Sequence, residues 1–360
     1  MTPEADSAIV SIVTVTRNIV TAGRSEMLKQ CIESVRQQRG AAIEHIVVDG
    51  ASDDGTVDLL EKYRQQGVIT YISETDSGIY NAMNKGISRA KGKYIAFLNS
   101  DDYLHDRDGI GTAVRMLEGT GADFSYGATR LVKEDNEPAY LAFPAIGSFV
   151  CGNPFCHQSM IARTDAVRKH GGFNEQYCML ADYDLICRLI LSGAKGVYVP
   201  RVYCSFRISG YSNDAAVRHL IDEERTICHR SYYGHMLSEQ DIERLKLGMV
   251  PVDMLEMLSA YVHSSLYPAL MKSYKPHALG YFTLWKRVEK YPIPQGVPAD
   301  VYQVSEWRKL SAEKRIRRQY RKYAFLAHMA WGKKKRHYIS RRDDAQLLVS
   351  EIERLRTILL

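Results

Sequence analysis

Residues 91–104 read KGKYIAFLNSDDYL, and this stretch decides how the chain folds. The run from Tyr94 to Leu98 is short, apolar and rich in residues that favour β-structure, which predicts a buried strand. Two adjacent carboxylates, Asp101 and Asp102, follow the strand with no basic residue beside them. Such a pair is costly to bury, because like charges repel each other and lose their hydration. We therefore expect this strand end to face a positively charged ligand.

Three more predicted strands precede this stretch, and a helical pattern follows each of them. The strands are predicted at Ala8–Thr16, Glu44–Gly50 and Ile69–Glu74, and the helices at Ser25–Gln38, Ser52–Gln66 and Gly78–Ala90. Strands that alternate with helices at this spacing predict an α/β fold with a mostly parallel central sheet and right-handed crossovers.

Polar residues stand at the carboxyl ends of all four strands, which is where open parallel sheets bind their ligands. The residues are Thr16, Arg17 and Asn18 after the first strand, Asp49 after the second, Asp76 after the third, and Asp101 and Asp102 after the fourth. We expect the four strand ends to converge on one crevice.

Two interpretations of Asp101 and Asp102 stay open from the residues alone. In one, the acids bind the backbone of a strand-to-loop turn, where Asp is common. In the other, they hold Mg²⁺ or Mn²⁺, which prefer hard oxygen ligands. Two carboxylates are too few for an all-protein cage, but they suit a cation that is shared with a diphosphate. Their position at the edge of an α/β sheet favours the cation.

Asp49 lies where an acid accepts hydrogen bonds from a ribose hydroxyl or a base N–H in dinucleotide-binding folds. The residues after it, Ser52, Asp53 and Asp54, are predicted to cap the next helix. The chain contains neither GxGxxG nor GxxxxGK[ST], which argues against a nicotinamide cofactor and against a P-loop NTPase.

The 360-residue chain is 45% hydrophobic and 25% charged, which is typical of globular proteins. It has no apolar run long enough to span a bilayer, and its first ten residues lack the basic start and apolar core of a signal peptide. We therefore expect a cytoplasmic protein whose membrane contact, if any, is peripheral. Its seven cysteines form no CxxC pair, so neither a disulfide framework nor a zinc site is expected.

The net charge of +6 is unevenly distributed. Residues 308–342, here called the basic segment, contain fourteen Lys or Arg and one acid, a local charge of +13, which leaves 6 − 13 = −7 for the rest. Aromatic residues interleaved with the bases favour an anionic membrane surface over a solvated helix. Nucleic acid is not expected, because no nucleic-acid-binding motif accompanies the segment. Heptad-like leucines in residues 345–360 leave a short coiled coil, and with it a homo-oligomer, open.

The segments SIVTVTRN, HIVVDGASDDGT, ETDSGIYNAMNKGISRAKGKYIAFLNSDD and ADYDLICRL resemble, in order and spacing, the family 2 glycosyltransferases of the GT-A fold. The resemblance is strongest to bacterial enzymes that build O-antigen, capsule or colanic-acid-type polysaccharide, and it covers residues 8–215. It implies a Rossmann-like catalytic domain over residues 1–230, with a nucleotide-sugar half (1–105) and an acceptor half (106–230). A helical, basic C-terminal extension over residues 231–360 would follow.

The resemblance also implies roles for the strand ends. The nucleoside of a nucleotide sugar would be held by the residues that follow the first two strands, namely Thr16, Arg17, Asn18 and Asp49, and Asp76 would close around the base. The SDD motif would bind the rest of the donor: Asp101 near the ribose or the cation, beside Ser100, and Asp102 as the ligand of a Mg²⁺ or Mn²⁺ ion that bridges the diphosphate.

Two residues depart from the commonest family pattern. Asn99 stands where many members have Asp, which removes one negative charge from the metal site. Met83, before Asn84, stands where many members have Arg, which removes a phosphate contact. Asn84 and Lys85, in the same segment, are both implied in donor binding, and Lys85 or Arg17 would take over that phosphate contact.

ADYDLICRL matches the segment that carries the general base of the family. Asp182 takes the position of the base, and Ala181 replaces the Glu that usually precedes it. From the residues alone, acids near a helix start are also favoured by the helix dipole. Asp184 is the second candidate, and we expect it to cap the helix or pair with Arg188.

Two further residues are implied in donor binding. His157, in GNPFCHQSM, would contact the donor phosphate or the acceptor, although a single His is often structural. Arg207, in FRISGYSND, would reach the leaving diphosphate, because Arg is a planar, bidentate phosphate donor, although a surface hairpin is an equal alternative.

These observations predict an inverting, metal-dependent glycosyltransferase at the inner face of the cell membrane. It would move a sugar from a nucleoside-diphosphate sugar, with UDP-sugar favoured, to a hydroxyl group of a glycan or polyprenyl-linked acceptor. The alternatives are a nucleotidyltransferase that acts on sugar phosphates and a non-catalytic membrane-binding or scaffold protein.

Overall fold

The computed structural model describes residues 9–209, 215–277, 281–284 and 289–292. The chain divides into two compact units, Met1–Val297 and Pro298–Leu360. The second unit lies outside the described residues, and with it the basic segment and the heptad-like leucines. The membrane contact and the coiled coil therefore stay predictions, as does the domain boundary at residue 230, which falls inside a helix.

The described residues contain thirteen strands and ten α-helices, besides loops and short 3₁₀ helices. The strands are β1 Ile9–Thr16, β2 Ala42–Asp49, β3 Thr70–Ser73, β4 Tyr94–Phe97, β5 Tyr103–Leu104, β6 Phe124–Val132, β7 Pro138–Phe143, β8 Met160–Arg163, β9 Gly196–Arg207, β10 Met249–Pro251, β11 Tyr274–His277, β12 Tyr281–Leu284 and β13 Glu289–Pro292. The helices are α1 Ser25–Arg36, α2 Thr56–Gln65, α3 Ile79–Arg89, α4 Gly109–Thr120, α5 Thr164–Lys169, α6 Ala181–Leu191, α7 Arg218–Tyr233, α8 Glu239–Lys246, α9 Val252–Met257 and α10 Tyr267–Met271.

The main sheet joins a parallel half to a mixed half. Strands β3, β2, β1 and β4 lie side by side in that order and run parallel. Strand β8 then pairs antiparallel with β4, and the sheet continues through β6, β7 and β13. Strand β9 runs parallel to β6 and antiparallel to β5. The predicted α/β fold with flanking helices is confirmed, and its parallel character is concentrated in the first four strands.

Both faces of the central strands β1 and β4 are buried, as their continuous apolar runs predict. Along β4, Tyr94 and Ala96 pack in one hydrophobic cluster, and Ile95 and Phe97 pack in another on the opposite face. Helix α3 approaches β1 closely at Gly86, where a Cβ would lie 2.3 Å from a methyl carbon of Val13. The two-sided packing fixes the strand register and brings the polar strand ends to one edge.

Two local predictions were correct only in part. Helix α2 begins at Thr56 and not at Ser52, because the Ser52 hydroxyl donates to Asp49. Of the predicted capping residues, Asp54 does accept from the Thr56 backbone N–H, at 3.1 Å, and it also accepts from the Thr21 backbone N–H. The described part of the expected helical extension contains α8, α9 and α10 but also a three-stranded antiparallel sheet of β10, β12 and β11. Strand β13 returns to the main sheet beside β7.

Candidate functional site

A cleft with a volume of about 740 Å³ opens beside the carboxyl end of β4. Three groups of residues line it: the motif Asn99, Ser100 and Asp101; the pair His157 and Asp182; and a wall of mostly apolar residues that includes Tyr80, Met83, Leu131, Phe155, Phe206 and Ile221. The structure therefore brings the predicted metal motif and the predicted base into one cavity, although they are far apart in the sequence.

Asp102 is not part of the cleft lining. Its side chain is buried, with Oδ2 accepting from Gln158 Nε2 at 2.6 Å and Oδ1 accepting from the Arg207 backbone N–H at 2.7 Å. Burial, followed by the negative charge of Asp101, raises the pKa of Asp102 to about 7. The prediction that Asp102 is the main cation ligand does not fit this geometry, because its carboxylate is buried in the protein and does not line the cleft.

Asp101 faces the cleft instead. Its carboxylate lies 3.5 Å from the guanidinium of Arg24, which also lines the cavity. Asn99 lines the same cleft, and its side-chain oxygen is buried and has no hydrogen-bond partner among the described residues. A carboxylate and an orphaned amide oxygen are hard donors of the kind that Mg²⁺ and Mn²⁺ prefer. These two residues therefore fit a divalent cation.

A cation held there would need further ligands. Within the described ranges, no group of three or more His, Cys, Asp or Glu side chains is arranged to hold a metal ion. Mg²⁺ and Mn²⁺ commonly take only one or two protein carboxylates and complete their shell with phosphate oxygens and water. The donor set is therefore suited to a cation shared with a phosphorylated ligand.

Gln158 was not singled out in the sequence, yet it organises the motif. Its Nε2 donates to Asp102, and its Oε1 accepts from the Asn99 backbone N–H at 2.9 Å. One amide side chain thus binds both ends of the turn that presents Asp101. No local signal marks it, because the contact depends on the antiparallel pairing of β8 with β4.

Three strand ends meet at a second group of polar residues next to the cleft. Asp49 is fully buried and accepts from the hydroxyls of Thr16, Ser52 and Ser73 and from the Ser52 backbone N–H. All these bonds are within the protein. Binding of a base or ribose by Asp49 stays a prediction, and it would require one of these donors to move.

Arg17 and Asp76 approach the chain just after β2. A Cβ on Gly50 would lie 2.5 Å from Asp76 Oδ2 and 3.4 Å from Arg17 Cδ. Asn18, which adopts a left-handed φ of 48°, donates its backbone N–H to Ser52. The first three strand ends therefore lie together, but these residues do not line the cleft that contains Asp101. The prediction that all four strand ends share one crevice is met only in part.

Two residues of α3 predicted to bind the donor have other partners. Asn84 bonds the backbone N–H and C=O of Phe173 and the carboxylate of Glu175. Lys85 donates to the Thr75 carbonyl and pairs with Glu74 at 3.1 Å. Neither residue lines the cleft, so this geometry favours a structural role, and the predicted phosphate contact of Lys85 is not supported.

Arg207 also lies away from the cleft. Its side chain is buried, and Nη2 donates to Gln30 and to Asn136, both at 2.6 Å. Its guanidinium carbon lies 5.4 Å from the ring centroid of Tyr103. Its Nε and Nη1 are buried without a partner among the described residues, so the predicted contact with a leaving diphosphate stays a prediction, although Arg207 is not among the residues that line the cleft. Its backbone N–H helps to hold Asp102.

His157 and Asp182 form a hydrogen-bonded pair in the cleft. The distance from His157 Nδ1 to Asp182 Oδ2 is 3.2 Å, and both side chains are largely buried. The second oxygen of Asp182 accepts from the Tyr183 backbone N–H at 2.7 Å, while His157 Nε2 is buried without a partner among the described residues. An aligned imidazole–carboxylate pair is an arrangement that can accept a proton from a ligand hydroxyl.

The start of α6, which carries Asp182, is held by a residue that the sequence did not reveal. Glu224 on α7 accepts hydrogen bonds from the backbone N–H groups of Cys178, Met179 and Leu180. These donors immediately precede the helix, where N–H groups otherwise lack partners. Further along α6, Asp184 pairs with Arg188 at 2.6 Å, as predicted, and so has a structural role.

Comparisons with known proteins agree on one family. A sequence model described as Glycosyl transferase family 2 matches residues 11–178. A glycosyltransferase of Mycobacterium tuberculosis H37Rv is 33% identical over 206 residues, which cover 56% of this chain and 76% of that protein. A PGL/p-HBAD biosynthesis glycosyltransferase of Mycobacterium bovis BCG is 29% identical over 174 residues, which cover 47% and 67% of the two chains.

Among solved structures, a mannosyltransferase from Pyrobaculum calidifontis in complex with GDP-Man and Mn²⁺ is similar with a TM-score of 0.48. It is 17% identical, and the match covers 74% of this chain and 79% of that one. Among the described residues, no helix combines the length and the apolar character that crossing a membrane requires.

Proposed function

The chain belongs to glycosyltransferase family 2 and has the GT-A fold, and from this premise we propose that it is an inverting, metal-dependent enzyme. It transfers a sugar from a nucleoside-diphosphate sugar to a hydroxyl group of a glycan or lipid-linked saccharide in the synthesis of a bacterial surface polysaccharide. The observation that supports this most directly is the single cleft that contains both Asp101 and the His157–Asp182 pair.

At the donor end, Asp101 and Asn99 are the residues that would hold Mg²⁺ or Mn²⁺. The bound cation supplies Lewis acidity and neutralises charge on the diphosphate leaving group. The neighbouring strand ends, with Thr16, Arg17 and Asp76, would contact the nucleoside. Gln158 and Asp102 keep the Asp101 turn in position, so that its carboxylate faces the cleft.

At the acceptor end, Asp182 accepts the proton from the acceptor hydroxyl. His157 donates through Nδ1 to Asp182 and fixes the orientation of the carboxylate. The freed oxygen attacks the anomeric carbon in one displacement, the bond to the diphosphate breaks, and the configuration inverts. A positioned base of this kind contributes roughly 10²–10⁴-fold to the rate.

Two parts of the proposal, the acceptor hydroxyl and the contact with a membrane, rest on the sequence analysis. Fourteen bases in the basic segment favour contact with an anionic inner leaflet, where a polyprenyl-linked saccharide would be presented. UDP-sugars are the favoured donors.

A donor screen tests the proposal. The purified chain is incubated with Mn²⁺ and each common UDP-, GDP- and dTDP-sugar, and release of the nucleoside diphosphate by slow hydrolysis is measured. We expect release from one donor, lost in Asp101→Asn and in Asp182→Asn but retained in Asp58→Asn, which removes an exposed acid on α2.

Calorimetry with UDP, GDP and dTDP in the presence of Mn²⁺ complements the screen, because the enzyme binds its product even when the acceptor is absent. Failure of every nucleoside diphosphate to bind would refute the transferase proposal. Formation of inorganic diphosphate from a sugar 1-phosphate and a nucleoside triphosphate would show a nucleotidyltransferase instead.

A further inference from the structure

We propose that Arg225 on α7 is the anion-binding residue of the acceptor site, so that the acceptor carries a phosphate or carboxylate group beside the part that receives the sugar. The inference rests on the proposed function and names the chemical class of its acceptor. It concerns a residue that lies beyond the segment 11–178 matched by the family model.

Arg225 has hydrogen-bonding capacity that the protein does not use. It lines the same cleft as His157 and Asp182. Its Nη1 donates to Asp222 at 2.9 Å, but the Asp222 side chain is 64% exposed, so solvent screens this pair. Its Nε is buried and has no partner among the described residues. Buried donors are normally satisfied, which indicates that an acceptor group from a ligand completes the set.

The position of Arg225 relative to the base is fixed by its neighbour. Glu224 binds the three backbone N–H groups that lead into α6, and Asp182 lies in the first turn of that helix. On the other side, a Cβ on Gly152 would lie 3.9 Å from Arg225 Nε, so the backbone of the loop before His157 also adjoins the guanidinium. Arg225 is therefore held at the end of the cleft that carries the base.

The two positively charged side chains of the cleft have different surroundings, one at the end proposed for the donor and one at the end proposed for the acceptor. Arg24 and Arg225 are the Arg or Lys side chains that line it within the described residues, and Arg24 is paired with Asp101 at the metal end. Among the described residues, the two carboxylates that line the cleft, Asp101 and Asp182, pair with Arg24 and His157 and not with Arg225. Ile221, one turn earlier on α7, lines the cleft together with Leu131 and Phe206. One guanidinium beside an apolar wall suits an amphiphilic acceptor with a single anionic group.

The test measures binding of small probes while the donor end is filled. The full-length chain is saturated with UDP and Mn²⁺ and titrated calorimetrically with phenyl phosphate, phenylacetate or benzyl alcohol. These probes share an aromatic group but present a phosphate, a carboxylate or a neutral hydroxyl. The variants are Arg225→Gln and Arg225→Lys, and the matched control is Arg230→Gln, which removes an exposed Arg of the same helix that pairs with Glu239. Thermal melts check that every variant is folded.

We expect an anionic probe to bind the wild type more tightly than benzyl alcohol does, with the preferred anion showing whether phosphate or carboxylate is recognised. Arg225→Gln should weaken that binding roughly tenfold or more, the range of a charged hydrogen bond. Arg225→Lys should retain part of the affinity, and Arg230→Gln should leave it unchanged. UDP affinity should be equal in all four proteins.

Three results would overturn the inference: equal binding of anionic and neutral probes, equal anion binding by the wild type and Arg225→Gln, or a loss of UDP affinity in Arg225→Gln, which would assign Arg225 to the donor. Failure of UDP to bind the wild type would instead contradict the proposed function. The comparison of Arg225 variants with the probes alone would then decide the role of Arg225 by the same criterion.

Discussion

Replacing His229 with Phe is expected to remove part of the acid sensitivity of the fold. His229 on α7 is fully buried, and neither ring nitrogen has a partner among the described residues. It lies between the rings of Tyr183 and Tyr233, with centroid distances of 6.2 and 6.1 Å. Burial, followed by the positive charges of Arg225 and Lys246, lowers the pKa of His229 from 6.5 to about 3.

The sign and size of the effect follow from linkage. Below pH 6.5 the unfolded chain protonates this imidazole, whereas the folded chain keeps it neutral down to about pH 3. The unfolded state then binds more protons, so stability falls as the pH falls through this window. Each pH unit costs about 1.4 kcal/mol. Lowering the pH from 7 to 5 should therefore remove about 2 kcal/mol of the free energy of unfolding through His229 alone.

Urea unfolding of the wild type, His229→Phe and His235→Gln at pH 7, 6 and 5 measures this effect. The difference between His229→Phe and the wild type should shift by about 2 kcal/mol in favour of the variant between pH 7 and pH 5. His235 is exposed, so His235→Gln should follow the wild type. A difference between His229→Phe and the wild type that stays constant over this range would refute the reasoning, because it would mean that His229 is protonated equally in both states.

Three further predictions concern residues around the cleft. Gln158→Leu leaves buried polar groups of the Asp101 turn without partners, so it should destabilise the fold by about 2 kcal/mol or more in urea unfolding and weaken Mn²⁺-dependent UDP binding. Glu224→Gln replaces a charged acceptor of three N–H groups by a neutral one, so donor hydrolysis should slow while UDP affinity, measured by calorimetry, stays constant; an unchanged hydrolysis rate would argue against a positioning role for Glu224. Lys85→Ala should change UDP affinity less than about twofold, since Lys85 already binds Glu74 and a backbone carbonyl; a tenfold loss would restore its predicted phosphate contact.

The hydrophobic and polar pattern of the sequence predicted the first four strands and helix α6, because these elements are determined by residues close together in the chain. Buried β-rich runs located the first four strands to within a few residues, and the polar groups after them marked the edge where the cleft lies. The pattern also located α6 and predicted the Asp184–Arg188 pair, because residues four apart on a helix are neighbours.

Contacts between distant segments could not be predicted in the same way. Gln158 meets Asp102 across 56 residues, and the Arg207 backbone meets it across 105. Both contacts depend on how β8 and β9 enter the sheet, which no periodicity within those segments reveals. For the same reason, the sequence predicted Arg207 to be a phosphate ligand, whereas in the fold its side chain is buried beside Gln30. Glu224 was missed because it lies on α7, whereas its three N–H partners precede the start of α6, more than forty residues earlier in the sequence.

The two adjacent acids after β4 have different surroundings: Asp101 faces a guanidinium, whereas Asp102 is held by the neutral Gln158 amide and a backbone N–H. Asp101 points into the cleft and faces Arg24 at 3.5 Å, whereas Asp102 points into the protein and has its pKa raised to about 7 by burial and by Asp101. The raised pKa means that the neutral form of Asp102 is favoured relative to an exposed carboxyl, which reduces the repulsion within the pair. Under the proposed function, a cation that binds Asp101 would compete with Arg24 for the carboxylate. Of the two carboxylates, Asp102 thus holds the turn in place through hydrogen bonds within the protein, and Asp101 is the one that can bind a ligand in the cleft.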